Sequence, residues 1–497
     1  MRTEALCYAC FGFLLSGCVA GLAYSPPAPP RAVRYQSQGA LAAVSGSNPA
    51  PPLDAWWVGF QDPQLVAIIR RVLAQNLDLA AAEARVRQAR AVARRAGAIE
   101  LPQGGLDASV ARQRQSLHSP LGRIAGAFPG YRRDQTLSDL DVGASWELDL
   151  AGGLKRAAEA MRDEAQAAEA LRTGVRVSVA AEAADAYFRT RGAQRRIALN
   201  RQEAAADAGL LALLQARLRD GVARTREVAQ ASALLAEARA RRPPLQIQLQ
   251  LQLDRLDVLM GEAPGAGIGA MRAGGAPFVV PGIDAGEGPR QLLRRRPDVI
   301  AAERRLAAAN ALIGVALSAY YPQVSLAGLL GFERLGSGAL LSAGSFQAAG
   351  VVGLHWRLFD FGRVDAKVAE ARGRHAEALA EYRQAMLRAT EDVEDAIATF
   401  VQLRAQCDAL QAAAAAHEEA LAAARREYRA GSADLLVVLD EDRRLLAVRD
   451  ELERSRTDTE RAAIATFRAL GGGWTPSADA GGAEPSVGGQ VRRPAMP

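Results

Sequence analysis

Two stretches of this chain, Gly153 to Arg219 and Arg363 to Arg429, contain no proline and are built mostly from Ala, Glu, Arg, Gln and Leu. Nothing in either stops a helix, and Gly192 and Gly209 are tolerable interruptions. A run of about 65 residues rising 1.5 Å per residue makes a rod of roughly 100 Å. Rods this long and polar have no globular core to lie on, so they must pack on other helices as coiled coils. A glycine follows each rod, Gly221 and Gly431, and marks a turn into a return helix. The return helices span about Thr225 to Met260 and Asp434 to Leu470. Pro243-Pro244 should break or kink the first of them, whereas the matching region around Glu453 has no proline.

The pairing of rods reflects a duplication. Ala81-Ala82-Glu83-Ala84-Arg85 recurs as Ala301-Ala302-Glu303-Arg304-Arg305, and Pro102-Gln103 recurs as Pro322-Gln323. Trp146-Glu147-Leu148 matches Trp356-Arg357-Leu358, and Arg219-Asp220-Gly221 matches Arg429-Ala430-Gly431. Colinear matches with one small length change indicate a repeated structural unit. A Gly/Pro-rich stretch from Gly261 to Pro289 joins the halves; its Gly265, Gly267 and Gly269 follow no strand and read as linker rather than a dinucleotide loop.

Each half also carries two strand-like segments. In Leu140 to Leu150 apolar residues alternate strictly with Asp141, Gly143, Ser145, Glu147 and Asp149. One apolar and one acidic face describes a strand between lipid and water, or else a half-buried soluble sheet. Leu106–Arg114, Val324–Arg334 and Phe346–Phe359 fit less cleanly, and Trp146 and Trp356 near the strand ends suit a membrane-interface belt. Four strands cannot close a barrel, so spanning a membrane this way requires several chains in a ring.

Charge and cysteine content exclude several functions. The net charge of +6 arises from 61 basic and 55 acidic residues mixed along the chain, with no aromatic-interleaved basic platform, so no nucleic-acid partner is expected. Cys7, Cys10 and Cys18 sit in the first apolar stretch, which leaves Cys407 without an internal partner; neither a disulfide framework nor a thiolate metal site is expected. His118, His355, His375 and His417 are far apart, with no catalytic motif around them, so no enzyme and no cofactor are expected. Arg2 and the short apolar run Tyr8–Leu15 read as a secretory signal. Leu15-Ser16-Gly17-Cys18 resembles a lipobox, in which Cys18 becomes the lipidated N-terminus; Val19 fits outer-membrane sorting, and a Pro/Ala-rich tether follows.

The residues resemble outer membrane factors, the TolC-like channels, in their efflux lipoprotein branch. The likeness rests on Trp56-Trp57 with Phe60 and Asp62-Pro63, on Asn76-Leu77-Asp78-Leu79 leading into Ala84-Arg85-Val86, and on Pro243-Pro244-Leu245 and Leu259-Met260-Gly261. Arg294-Arg295-Arg296-Pro297-Asp298-Val299, Tyr321-Pro322-Gln323, Phe359-Asp360-Phe361-Gly362-Arg363 and Ala469-Leu470-Gly471-Gly472-Gly473-Trp474 complete it. The resemblance implies a mainly α fold with a small β part, in which three chains pool four strands each into a twelve-stranded outer-membrane β-barrel above an α-helical periplasmic tunnel. Residues 1–17 would be the signal peptide, 18–57 the lipidated tether, 58–262 the first repeat, 263–288 the linker, 289–474 the second repeat and 475–497 a disordered tail. Such homotrimers dock a periplasmic adaptor protein and, through it, a proton-driven inner-membrane transporter that exports drugs or other small toxic compounds. A type I protein-secretion duct and a soluble periplasmic coiled-coil scaffold or adaptor remain as alternatives.

Functional residues follow from that plan. Asp141, Glu147 and Asp149 are candidates to line the lumen. The family's tapered tip carries an acidic and an apolar ring; Leu436 and Asp440, four residues apart and so on one helix face, are the matching candidates for a pore constriction, unless Asp440 simply pairs with Arg443 or Arg444. The helix turns at Arg219 and Gly221 and at Arg429 and Gly431 are the candidate adaptor-docking tips.

Overall fold

The structure of the protein, a computed structural model, describes residues 20–28, 34–45, 49–266, 271, 279–286 and 288–475. The expected signal peptide and lipidation site at Cys18, much of the linker and the tail beyond 475 lie outside the described residues. In chain order the elements are α1 Gln38–Ser45, a 3-10 turn Leu53–Phe60, α2 Pro63–Gln75, α3 Leu77–Ala98, β1 Gln103–Arg114, α4 Pro120–Ala125, β2 Asp134–Leu148, α5 Gly153–Arg219 and α6 Thr225–Leu259. The second half repeats the plan with α7 Pro289–Arg295, α8 Pro297–Ser318, β3 Gln323–Leu335, β4 Phe346–His355, α9 Arg363–Arg429 and α10 Leu435–Ala469. Both rods have 67 residues and both return helices 35. Among the described residues no helix is long and apolar enough to cross a membrane.

The chain forms two compact units, and each draws on both halves of the sequence. One comprises the described residues up to Pro27 with Ala84–Glu169 and Ala301–Gln384. It contains an antiparallel sheet in the order β1-β2-β3-β4. β2 runs longer than the alternating segment indicated, starting at Asp134 rather than Leu140. β4 is shorter: it stops at His355, so Trp356 to Phe359 leave the sheet. The reason is the start of α9. The Asp360 carboxylate accepts the backbone N–H of Gly362 (3.1 Å) and Val364 (2.8 Å), and Phe361 and Gly362 take positive φ, which turns the chain out of the strand.

The other unit comprises Ala28–Glu83, Ala170–Ile300 and the chain from Ala385. Its helices pack with a period of seven. Cys407, Ala414 and Leu421 on α9 meet Val438, Leu445 and Leu452 on α10, and Ala204 on α5 meets Leu235 and Ala238 on α6. A seven-residue repeat keeps one seam facing its partner in a left-handed coiled coil. Cys407 is a buried small seam residue with a free thiol that burial pushes up.

Pro243 and Pro244 do not break α6, which continues through them. Each removes one helical N–H, orphaning a carbonyl one turn back at Arg239 and Ala240. Those two residues and both prolines are exposed, so solvent satisfies the carbonyls. The next carbonyl, on Ala238, accepts a 2.8 Å bond from the buried Asn200 side chain of α5, which pins α6 to its neighbour just before the proline pair.

Candidate functional site

The sheet has two chemically different faces, and its pairing registers show which residues share each. Leu106 lies opposite Val142, Val142 opposite Leu330 and Leu330 opposite Ala348; Trp146 pairs with Leu326 and Leu326 with Val352. This face is apolar yet uncovered: Val110 is 76% exposed and Val352 74%. Leaving such a surface in water is unfavourable, whereas hydrocarbon accepts it. The opposite face carries Asp107, Asp139, Asp141, Glu147 and Glu333. Asp141 lies between Asp107 on β1 and Gly331 on β3, and Gln347 of β4 reaches across Gly331 to donate a 2.9 Å bond to it. Any side chain at 331 would collide with the Asp141 carboxylate, so glycine there makes the bridge possible.

Of the three lumen candidates, Asp141 and Glu147 stand on this acidic face. Asp149 lies past the end of β2, where its carboxylate accepts the backbone N–H of Lys155 at 2.8 Å and so caps the start of α5. One end of the apolar face is marked by indoles. Trp146 donates to the carbonyl of Glu100 (2.9 Å) and Trp356 donates to that of Tyr320 (3.0 Å). Amphipathic rings anchored this way suit a lipid–water boundary.

The tips of the coiled coils are ordinary helix reversals in their backbone and unusual in what they expose. Gly221 and Gly431 have φ of 72° and 78°, the left-handed conformation that lets α5 and α9 end and the chain turn. Arg219 and Arg429 are the last residues of the two rods. Beyond Gly431, α10 turns Leu435, Val438 and Leu445 toward α9, which leaves Leu436 and Asp440 together on the outward side. Leu436 is 51% exposed, and Asp440 is held by Arg444 at 2.7 Å, the pairing that the sequence left as an alternative to an acidic ring. The two hairpins are tied near their tips by Arg217, which donates to the Tyr428 hydroxyl at 2.5 Å.

Three clusters whose long-range contacts the sequence did not show hold the helices in place. Arg195 of α5 donates to both carboxylate oxygens of Glu460 on α10 (2.9 and 3.4 Å) and lies 3.1 Å from Glu453. Glu460 is 2% exposed; burial raises its carboxyl to about 7 against the pull of Arg195. Burial lowers Arg195, but the two facing carboxylates more than offset it and the net shift is upward. Arg296 grips Asp298, Asp392 and the Ala469 carbonyl together, which explains an arginine before Pro297. Residues 56 and 467–475 form a closing knot. There Trp56 stacks on Phe467 at 5.4 Å, Arg295 and Trp474 exchange side-chain-to-carbonyl bonds, and Arg176 donates to the Gly473 carbonyl. The motifs Trp56-Trp57 and Gly471-Gly472-Gly473-Trp474 were visible in the sequence, but not that they meet. Among the described residues no group of His, Cys, Asp and Glu is placed to hold a metal ion.

Comparison with known proteins fits these features. Residues 68–262 and 288–472 each match the family described as Outer membrane efflux protein. The pyoverdine export outer membrane protein OpmQ of Pseudomonas putida is 34% identical over 458 residues, covering 91% of this chain and 95% of that protein. The outer membrane protein OprJ of Pseudomonas aeruginosa is 32% identical, covering 93% of this chain and 94% of that one. Among solved structures, the outer-membrane channel OprN superposes with a TM-score of 0.78 at 31% identity, over 92% of this chain and all of that one. With its duplicated plan, its apolar-faced sheet and these relatives, the chain belongs to the outer membrane efflux protein family.

Proposed function

We propose that this chain is the outer-membrane channel subunit of a tripartite efflux pump, and that it exports small toxic compounds as a homotrimer. The observation that carries the reading is the sheet: an exposed apolar face, an acidic opposite face, and two outer strands, β1 and β4, without a partner among the described residues. In hydrocarbon every backbone N–H and C=O must be paired, so β1 of one copy has to meet β4 of the next until a ring closes. Asp141 and Glu147 then face the water-filled lumen and disfavour anions. Cys18 carries the lipid that holds the N-terminus at the membrane. The chain supplies a path rather than chemistry, so it needs no cofactor and is no enzyme.

The tips supply the remaining parts. Leu436 and Asp440 from three copies form stacked rings, an apolar one that keeps a closed bore dry and an acidic one whose Arg444 partners must yield when it opens. Arg219 and Gly221, with Arg429 and Gly431, meet a periplasmic adaptor that connects the channel to an inner-membrane transporter. A bulky residue at Gly221 or Gly431 should abolish resistance while trimers persist, and single-channel conductance unchanged by Leu436→Ala with Asp440→Ala would remove those two from the gate. The primary experiment is a panel of dyes, detergents and antibiotics on a strain lacking the gene. Hypersensitivity reversed by the restored gene is expected; unchanged susceptibility with altered secreted proteins would transfer the channel to protein export.

A further inference from the structure

The apolar face of the sheet does not end evenly at its two ends. At one end stand the anchored indoles of Trp146 and Trp356, beside the starts of the long helices. At the other, the same face turns into arginine. On β1, Leu106, Ala108 and Val110 are followed on that face by Arg112 and Arg114. On β3, Leu326, Leu330 and Phe332 are followed by Arg334. An arginine thus closes the apolar row in each repeat.

These guanidinium groups are poorly neutralised. Arg114 has the exposed Asp134 at 3.7 Å, a loose surface pair. Among the described residues Arg334 donates only to the neutral carbonyls of Ser337 and Ala339 (3.2 and 3.3 Å), which orients it without cancelling its charge. Arg112 is exposed. The connecting segment 115–133 contains Arg123, Arg132 and Arg133 and not one acidic residue. Segment 336–355, which includes β4, contains no Asp or Glu either, so a second copy docking its β4 against β1 brings no counter-charge to this rim. Glu333 and Asp139, which pair with each other, are on the opposite face. Apolar side chains are interspersed: Leu121, Ile124 and Phe128 on and after α4 are each about two-thirds exposed.

We propose that this rim, centred on Arg112, Arg114 and Arg334, is a binding surface for the phosphate groups of the lipid that forms the outer leaflet around the barrel. The inference rests on the channel reading, which places the indole end toward the periplasm and the arginine end toward the exterior. A phosphorylated glycolipid matches both halves of the surface. Its phosphates sit at the height where the apolar row gives way to arginine, and its acyl chains cover the row below. Arginine suits the task because its planar fork takes phosphate oxygens two at a time.

The test uses the purified full-length protein in detergent and measures its affinity for lipopolysaccharide and for the same glycolipid after phosphatase treatment, with conductance in phosphatidylcholine bilayers run in parallel. The wild type should bind the phosphorylated form more tightly, with an advantage that shrinks as salt rises. Arg112→Gln, Arg114→Gln and Arg334→Gln together should lower that affinity roughly a hundredfold, at about one surface phosphate contact per arginine. Lysine at all three positions should restore part of it. Equal affinity for the two glycolipid forms, or a glutamine variant that binds like the wild type, would overturn the proposal while pores in phosphatidylcholine left the channel intact. A protein that forms no pores even with the gate removed by Leu436→Ala and Asp440→Ala would overturn the channel reading itself, and this surface with it.

Discussion

The two repeats share their backbone and differ in how their return helices are held. Trp146 caps the Glu100 carbonyl, and Trp356 does the same to Tyr320. Asn76 donates to the carbonyl of Leu259 at the end of α6, and Arg296 to that of Ala469 at the end of α10. Gly261 and Gly471 both take positive φ, and both lie against a backbone carbonyl, that of Gln75 and that of Arg295. At every one of these places the duplicate keeps the same fastening. Midway along the return helices it does not. Where α6 has Pro243 and Pro244, α10 has Glu453 and Arg454; where α6 has Gln250, α10 has Glu460. The first helix is held by one buried amide, Asn200, and the second by a buried guanidinium between carboxylates. Duplication has conserved what ends and turns helices, and released what faces a neighbour in mid-helix.

The shared fastenings give the largest expected effect. Gly261→Val and Gly471→Val each place a branched side chain at positive φ, with its Cβ 2.8 and 2.6 Å from a carbonyl oxygen. Each should cost more than about 2 kcal/mol and prevent assembly of heat-modifiable oligomers. Gly209→Ala, in open space within α5, should leave them unchanged or slightly steadier. Valine tolerated at 471 but not at 261 would break the equivalence of the repeats.

The divergent middle predicts a pH dependence that is strongest in the second repeat. Glu460 has a folded pKa raised to about 7 from an ordinary 4.5, because burial disfavours its charge. Its contribution to stability is therefore complete below about pH 4.5 and is lost as pH rises through 7, a change of about 3 kcal/mol at most. Glu460→Gln turns the position into its counterpart in the first repeat, Gln250, and should flatten the thermal midpoint between pH 5 and 8. A slope that survives the substitution would assign it to other groups, of which Asp207 (raised to about 6 by burial and by Glu203 and Asp442) is the first to examine.

Asn76→Ala comes next. It removes both the bond to the Leu259 carbonyl and the cap on the Leu79 N–H at 3.0 Å, and should cost about 1–2 kcal/mol in a denaturant melt. If Asn76→Ala were silent, the fastening would be redundant with Gly261, and the two repeats would differ at their ends as well.

The sequence carried the long-range plan because that plan is written in local rules. Absence of proline sets the rods at Gly153–Arg219 and Arg363–Arg429, glycine sets the reversals, and strict alternation sets β2. What it did not carry is contact between distant residues. Arg195 and Glu460 are 265 positions apart, and the Asp141–Gln347 bridge depends on an empty position, Gly331, between them. Pro243-Pro244 indicated a break or a kink, and α6 does not break there: proline propensity counts the lost N–H, not whether the freed carbonyls reach solvent. Trp356 falls within the strand-like segment Phe346–Phe359, yet Asp360 downstream decides where the strand ends.

Trp356 also supplies the finest comparison between the repeats. Trp146→Phe and Trp356→Phe each delete one indole N–H and keep an aromatic ring in place. Trp146 lies within β2, whereas Trp356 lies one residue beyond β4. If the indoles serve only as hydrogen-bond donors to Glu100 and Tyr320, each change should cost about 1 kcal/mol, equally, in the thermal midpoint in detergent. If they also anchor the barrel at the interface, the loss should grow when the melt is repeated in phospholipid nanodiscs, because phenylalanine has no polar edge to keep in the headgroup layer. A larger bilayer penalty at Trp146 than at Trp356 would mean that the ring held inside the sheet sets the height of the barrel, and that the second repeat has kept the bond but not the anchor.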